Sequence, residues 1–224
     1  MNHLLKEVRV LVQKEMTLEW RDRSSLNGIL LYTFSTVFVC YLSFNQQKVH
    51  LHQITWNTLF WIIQLFTVTN AIAKCFDQEK GGRYFFYYSL VSPQALILSK
   101  IIYNAFLSSI IALVGFVLYS FVMDNPVQDL TLFSFVLLLG AIGFSTSLTL
   151  IAGIASKASN SSSLMAVLGF PVILPMILLL VKASKNAIDG LAWSASQDEV
   201  VTLIGVDFIV VAISILLFPY LWRS

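Results

Sequence analysis

Residues 130–156 read LTLFSFVLLLGAIGFSTSLTLIAGIAS, an uncharged run of 27 residues that is apolar apart from glycines and hydroxyl side chains. An α-helix rises about 1.5 Å per residue, so about 20 residues cross the hydrocarbon core of a bilayer. The stretch Phe135–Leu139 lacks the alternation of apolar and polar residues that a barrel strand requires. The run is therefore predicted to form a transmembrane helix.

Five further windows of similar length contain no lysine or arginine, and the only acidic residue among them is Asp207. Each window is long enough to cross a bilayer as a helix. We therefore predict an all-α membrane protein with six transmembrane helices. The five additional windows are residues 24–47, 49–73, 101–123, 158–181 and 200–222.

The composition agrees with a membrane protein. Hydrophobic residues make up 57% of the 224 residues and charged residues only 12%, whereas a soluble domain carries about 25% charge. The formal net charge of +2 is too small to indicate a nucleic-acid partner. Cys40 and Cys75 form neither a CxxC pair nor a CxxCH haem attachment site. Residues 1–25 are charged throughout, so we expect no cleavable signal peptide.

The distribution of basic residues predicts the orientation of the chain. If the N-terminus is cytoplasmic, only Lys48, Lys182 and Lys185 of the 14 basic residues lie outside. This bias follows the positive-inside rule, so both termini are expected in the cytoplasm. Four tryptophans near the predicted span ends are expected to anchor in the membrane interface, namely Trp20, Trp56, Trp193 and Trp222.

The N-terminal segment, residues 1–25, is predicted to be an amphipathic helix in the headgroup layer, preceding a transmembrane domain at residues 26–224. Its apolar side chains recur at helical spacing between charged residues, at Leu5, Val8, Leu11 and Val12. The alternative is a solvated charged tail.

A polar cytoplasmic segment, residues 74–95, follows the second predicted span. Gly81 and Gly82 are expected to break a helix, and Pro93 is well placed to begin the next one. Two interpretations stay open: the segment docks a cytoplasmic partner, or its aromatic residues anchor a turn in the interface. The residues that carry the pattern are Asp77, Glu79, Gly81, Gly82, Arg83, Tyr84, Phe85, Ser92, Pro93 and Lys100.

The order of these residues resembles the ABC-2 class of exporter permeases: an acidic residue, glycine, an aromatic run, Ser-Pro, and a lysine seven residues later. Within that class the chain looks like the B-component permease of the cytochrome c maturation (haem exporter) system. The shared pieces are Glu19-Trp20-Arg21, Trp61, Glu79…Ser92-Pro93…Lys100 and Pro171…Pro175. The run Tyr84–Tyr88 is more aromatic than the family pattern.

The resemblance implies a permease subunit that works with a separate cytoplasmic ATPase in the bacterial inner membrane. Two copies would pair with two ATPase subunits, and residues 74–95 would be the segment that couples them. The complex would act in haem delivery for c-type cytochrome biogenesis, together with a haem-handling membrane protein and a periplasmic haem chaperone. Glu19, Trp20 and Arg21 would form an N-terminal interfacial contact.

Catalytic motifs are absent from the sequence. No G-x-x-x-x-G-K-[ST] loop occurs, so ATP is expected to bind to the partner and not to this chain. HExxH and GxSxG are missing as well, so we expect no enzyme activity from the chain alone. We also expect no resident metal. Haem ligation by His50 and His52 is an alternative to their simple solvation in the first outer loop.

Three features inside the predicted spans allow more than one interpretation. Asp207 is either a polar contact inside the bundle or a shallow residue that snorkels to the interface. Small residues at every fourth position predict close helix packing, rather than a substrate path, along Ala141, Ser145, Thr149 and Gly153. Pro171 and Pro175 predict a kink or a break, serving either as a gate or as fixed curvature.

Two other functions remain open at this stage. The same fold serves ABC-2 permeases that move a lipid, a drug or a polysaccharide. A membrane scaffold that recruits a cytoplasmic protein without transport is the other alternative.

Overall fold

The computed structural model describes residues 2–21, 23–46, 51–73, 75–76, 90–157 and 161–223. These residues are almost entirely helical and include no β-strand. The helices are α1 (Asn2–Arg21), α2 (Arg23–Gln46), α3 (Gln53–Ile72), α4 (Pro93–Val122), α5 (Leu130–Ala155), α6 (Ser161–Ile188) and α7 (Gln197–Arg223), with a short 3-10 helix at Trp193–Ser196.

Helices α2 to α7 run antiparallel to their neighbours along the chain, between two ends of one bundle. The start of α4 lies against α1, as the contact between Ser92 and Glu7 shows. The end of α7 lies at the same end, where Lys157 Nζ donates to the carbonyl of Trp222. We call this the α1 end. At the opposite end, the N–H of Asp129 donates to the carbonyl of Ala187.

Five helical segments in the described part of the chain are long and apolar enough to cross a membrane. They are Leu26–Phe44, Pro93–Val122, Leu130–Ala155, Ser163–Ile188 and Trp193–Trp222. The chain is therefore a multi-pass membrane protein. The predicted span at 49–73 does form a helix, α3, but this helix is not among the five; Asn57 and Gln64 are two of the amide side chains that lower its apolarity.

The third predicted span begins earlier than the charge count indicated. Helix α4 begins at Pro93 rather than at residue 101, with proline in the first turn where its missing N–H costs nothing. Lys100 therefore lies within the helix and not beyond its end, and its side chain is only 1% exposed. The prediction that Pro93 begins this helix is confirmed, whereas the window 101–123 was too short because it took a lysine as its boundary.

An aromatic cluster fills the core where α3, α4 and α5 meet. Trp56 and Phe60 stack with ring centroids 5.9 Å apart, and Phe133 stacks on Phe116 at 4.8 Å. The hydroxyl of Tyr119 donates to the carbonyl of Trp56 at 3.0 Å. Trp56 is only 1% exposed, so its prediction as an interfacial anchor was wrong.

Of the other three predicted tryptophan anchors, one is buried and two are exposed. Trp222 is 4% exposed and packs on Phe218, so it is a core residue as well. Trp20 and Trp193 are exposed at 75% and 44%, as an interfacial side chain requires.

Candidate functional site

The α1 end holds a buried charged cluster, which we call the Lys100 junction: Glu15, Lys100, Cys75 and Phe76. Lys100 Nζ lies 3.0 Å from Glu15 Oε1 and donates to the carbonyl of Cys75. It also lies 5.7 Å from the centroid of the Phe76 ring. Glu15 is 8% exposed, so both charges lie inside the protein. One ammonium group therefore joins α1, α4 and the residues that follow α3.

A second polar contact joins α1 to Ser92, the residue directly before α4. Ser92 Oγ donates to Glu7 Oε2, and the Ser92 N–H points to the same oxygen at 3.4 Å. Glu7 Oε1 lies 3.0 Å from His3 Nδ1. Between the two polar contacts, Val8 and Leu11 pack on Ala95 in a small apolar cluster. The amphipathic pattern of α1 therefore buries one face against the start of α4.

The predicted N-terminal contact residues lie at the last turn of α1. Glu19 is half-buried and lies near the hydroxyl of Tyr103 on α4. Trp20 and Arg21 are exposed. Of the three residues, Glu19 is the one that is partly buried.

Most of the predicted coupling segment lies outside the described residues. The segment residues that lie outside the described part of the chain are Asp77, Glu79, Gly81, Gly82, Arg83, Tyr84 and Phe85. His50, in the predicted first outer loop, lies outside it as well. The structure describes only the two ends of segment 74–95, namely residues 75–76 and 90–95. Both ends contact the region where α1 packs on α4: Cys75 accepts from Lys100, and Ser92 donates to Glu7.

The stripe of small residues on α5 packs inside the chain. Thr149 Oγ1 accepts from Asn104 Nδ2 of α4 at 2.8 Å and donates to the carbonyl of Ser145 at 2.6 Å. A Cβ added at Gly153 would lie 3.0 Å from the ring of Phe218 on α7. The described contacts of the stripe therefore bring α4 and α7 close to α5, as close helix packing requires.

A buried polar network joins α3 to α6. Trp61 Nε1 donates to Ser184 Oγ at 2.8 Å, and Ser184 Oγ lies 2.8 Å from Asn57 Oδ1. Asn57 Nδ2 donates to the carbonyl of Val181 at 2.8 Å. Ser184 is fully buried, so these side chains satisfy one another where neither water nor lipid offers a partner.

Replacing Ser184 with alanine is expected to lower the midpoint of thermal unfolding in mild detergent. Trp61 and Asn57 would each lose a partner, and a buried polar group left without one costs about 1–3 kcal/mol. Ser43→Ala is the matched control, because Ser43 is exposed and donates to the carbonyl of Val39 in its own helix. Equal shifts for the two variants would contradict the role of the network.

Asp207 is buried, so its interpretation as a shallow residue that snorkels to the interface is wrong. The residue is 8% exposed, and both carboxylate oxygens lack a hydrogen-bond partner in the described part of the chain. A Cβ added at Gly143 would lie 2.5 Å from Asp207 Oδ1 and 2.5 Å from Met176 Cε. The carboxyl thus packs against α5 where glycine leaves room for it.

Pro171 and Pro175 lie inside a continuous helix. Helix α6 runs from Ser161 to Ile188, so a broken helix was the wrong expectation. Both prolines are exposed on the outside of the bundle.

The histidines of the described part have structural partners. His52 caps α3 by accepting from the N–H of Ile54, and His3 pairs with Glu7. Among the described residues, no group of three or more histidine, cysteine, aspartate or glutamate side chains is placed to hold a metal ion.

Sequence reasoning missed the partners of the site residues. Glu15 looked like one more charge on an amphipathic helix, and Glu7 likewise. Asn57 and Ser184 are 127 positions apart, and their contact has no local pattern. One available signal was the presence of amide side chains in the predicted span 49–73, Asn57 and Gln64 among them, because polar side chains at membrane depth need partners.

The comparison with protein families identifies the chain. The CcmB protein family matches residues 6–220, so the chain belongs to that family. This finding confirms the resemblance to the haem exporter permease of the cytochrome c maturation system. The chain is thus a transmembrane permease of a haem-export system for cytochrome c biogenesis. A comparison with curated proteins finds no match.

Proposed function

We propose that this CcmB family member binds a separate cytoplasmic ATPase at the α1 end and transmits ATP-driven motion into the bundle. The observation that supports the proposal is the Lys100 junction. Residues 77–89 of segment 74–95 are not described; Cys75 precedes them and Ser92 follows them, and both contact the α1–α4 region. A partner that moves this segment would therefore act on α1, α3 and α4 together.

The proposal takes α3 as a sixth span. Trp56, in its first turn, contacts Tyr119 near the end of α4, and Cys75 after its end contacts Lys100 near the start of α4. Helix α3 therefore runs along most of α4. Two of its amide side chains, those of Asn57 and Gln64, are buried and donate to carbonyl groups inside the bundle.

The proposal also places α1 in the headgroup layer. Leu5, Met16 and Trp20 are exposed and recur at helical spacing on one side of α1. This side lies next to the face that packs on α4, so it is available to an interface. The α1 end is then the cytoplasmic end in the bacterial inner membrane, because the positive-inside bias assigns eleven of the 14 basic residues to that side.

The complex in this proposal contains two copies of the chain and two ATPase subunits. It works with a haem-handling membrane protein and a periplasmic haem chaperone. ATP binds to the partner subunit and haem is handled by the complex, while the chain itself holds no cofactor.

Co-purification tests the proposal. A tagged chain, extracted in mild detergent, is expected to recover the ATPase and the haem-handling protein, and its deletion is expected to abolish haem staining of c-type cytochromes. Reversing two charges of the segment, in Asp77→Lys/Glu79→Lys, is expected to lose the ATPase while the chain stays in the membrane. Lys185→Met, at the opposite end, is the matched control and is expected to retain it.

The possible failures of this experiment point to different conclusions. Full ATPase recovery with the reversed charges would contradict docking on the segment. Recovery of an ATPase without a haem-handling partner would favour another cargo, such as a lipid, drug or polysaccharide. Recovery of neither would favour a scaffold.

A further inference from the structure

Asp207 lies at the middle of its helix, far from both ends of the bundle. It follows Gln197 by ten residues and precedes Arg223 by sixteen, which places it about 15 Å along the axis of α7 from its start. Gly143, which it contacts, is likewise central in α5. An aspartate side chain is too short to carry its carboxyl group from this depth to the interface.

The elements that pack on α7 bring no opposite charge to this level. They are α4, α5, α6 and the 3-10 helix, and α5 and the 3-10 helix contain no titratable residue. On α4 and α6 the titratable groups lie towards the ends of the helices and are engaged there: Lys100 with Glu15, Tyr103 beside Glu19, Tyr119 with the Trp56 carbonyl, Lys182 with Glu199, and Lys185 with Asp189. On α7 itself, the other titratable residues lie in the first and last turns: Asp198, Glu199, Tyr220 and Arg223.

An ionised carboxylate at this place would have neither a hydrogen-bond donor nor a cation in the described part of the chain. Such a group is costly inside a membrane protein, whereas the protonated form carries no net charge. A metal cation would need several oxygen ligands, and no group of three acidic, histidine or cysteine residues surrounds Asp207 in the described residues. The hydroxyl groups of Thr146 and Ser147, near Gly143, already donate to the Gly143 carbonyl and to Met176 Sδ.

We propose that Asp207 is a proton-binding site at the centre of the bundle, and that it is occupied by a proton at neutral pH. The site consists of the Asp207 carboxyl group, enclosed by Gly143 of α5 and Met176 of α6. Because both oxygens are sealed from solvent, the proton leaves only when α7 separates from α5 and water reaches the carboxyl. The same separation also exposes the neutral carboxyl to apolar reagents that arrive from the lipid and attack neutral carboxylic acids.

Dicyclohexylcarbodiimide is such a reagent. The carboxylic acid proton moves to one carbodiimide nitrogen, and the carboxylate oxygen bonds to the central carbon, giving an O-acylisourea. The acyl group then transfers from that oxygen to a nitrogen, giving a stable N-acylurea. No group leaves, so the modified residue gains the mass of one reagent molecule.

Peptide mapping by mass spectrometry of the chain in lipid nanodiscs tests the proposal. At about pH 7, Asp207 is expected to be modified about tenfold or more faster than Asp198, which is exposed in the first turn of α7. The water-soluble carbodiimide EDC is expected to reverse this preference. Asp207→Asn is expected to remove the modified peptide, and Asp198→Asn to leave labelling of Asp207 unchanged.

Two results with the wild-type chain would overturn the proposal. Labelling of Asp207 at about pH 5 but not at about pH 7 would show that the carboxyl is ionised at neutral pH. Equal labelling of Asp207 by EDC and by the apolar reagent would show that water reaches the site.

Discussion

Replacing Gly140 with alanine is expected to abolish accumulation of the folded chain in the membrane. The added Cβ would lie 2.7 Å from two ring carbons of Trp61 and 2.8 Å from Leu180 Cδ2. Overpacking a core costs about 1–3 kcal/mol and at times more. If the indole also loses its bond to Ser184, about 1–3 kcal/mol is added. Together these costs approach the 5–15 kcal/mol by which a typical protein is stable.

Trp61 cannot move aside to make room. Its ring meets those of Phe60 and Phe144 edge to face, with centroids 5.5 and 6.1 Å away. Its Nε1 is bonded to Ser184, and the side chain is 1% exposed. The contact between α3 and α5 therefore depends on a residue without a side chain at position 140.

Two other glycines provide matched controls for Gly140→Ala. A Cβ at Gly205 or at Gly28 would meet no atom within 4 Å, and both residues lie in helices. Alanine is a better helix former than glycine by about 1 kcal/mol, so neither control is expected to lose stability. Membrane-fraction immunoblots and thermal unfolding in detergent compare the three variants. Wild-type behaviour of Gly140→Ala would mean that α3 does not pack on α5 as described.

The helices of this fold were largely predictable, because spans leave a strong signal in composition. Uncharged runs of 20 or more residues located α2, α5, α6 and α7. The ends of α2, α5 and α7 differ by at most three residues from those observed, whereas α6 continues to Ile188, seven residues past the predicted end, because Lys182 and Lys185 lie within it. The rule failed at α4, where Lys100 interrupts the run. That lysine is tolerated inside the helix because Glu15 lies beside it, and the pairing joins residues 85 positions apart. No local pattern reports such a contact.

The sites were less predictable than the spans, for the same physical reason. Whether Asp207 faces lipid, water or protein depends on which helix lies beside it, and a sequence with six apolar runs allows many arrangements. The structure places Gly143 there, a residue that looked no different from the other glycines of α5. The small-residue stripe was recognisable, because tight helix contacts in membranes recur at every fourth position.

Breaking the Lys100 junction is expected to have an effect comparable to that of Gly140→Ala. Glu15→Gln removes the carboxylate that lies 3.0 Å from the buried ammonium, and Lys100→Met leaves the Glu15 carboxylate with Lys14, whose side chain is 24% exposed, as a remaining cation. Removing one partner of a buried ion pair costs about 3–5 kcal/mol, because a charge stays behind in a medium that solvates it poorly. Glu15→Gln is therefore expected to unfold at a markedly lower temperature in detergent, and Lys100→Met is expected to lose less, because Lys14 still pairs with Glu15.

The double variant Glu15→Gln/Lys100→Met tests whether the two side chains stabilise the protein through their interaction with each other. Replacing a buried ion pair as a whole is often close to neutral, so the double variant is expected to be more stable than either single variant. Lys185→Met is the control, because its pair with Asp189 is partly exposed and such pairs contribute at most about 1 kcal/mol. Additive losses in the double variant would show that Glu15 and Lys100 act independently. If the double variant folds but no longer supports cytochrome maturation, the junction serves coupling as well as stability.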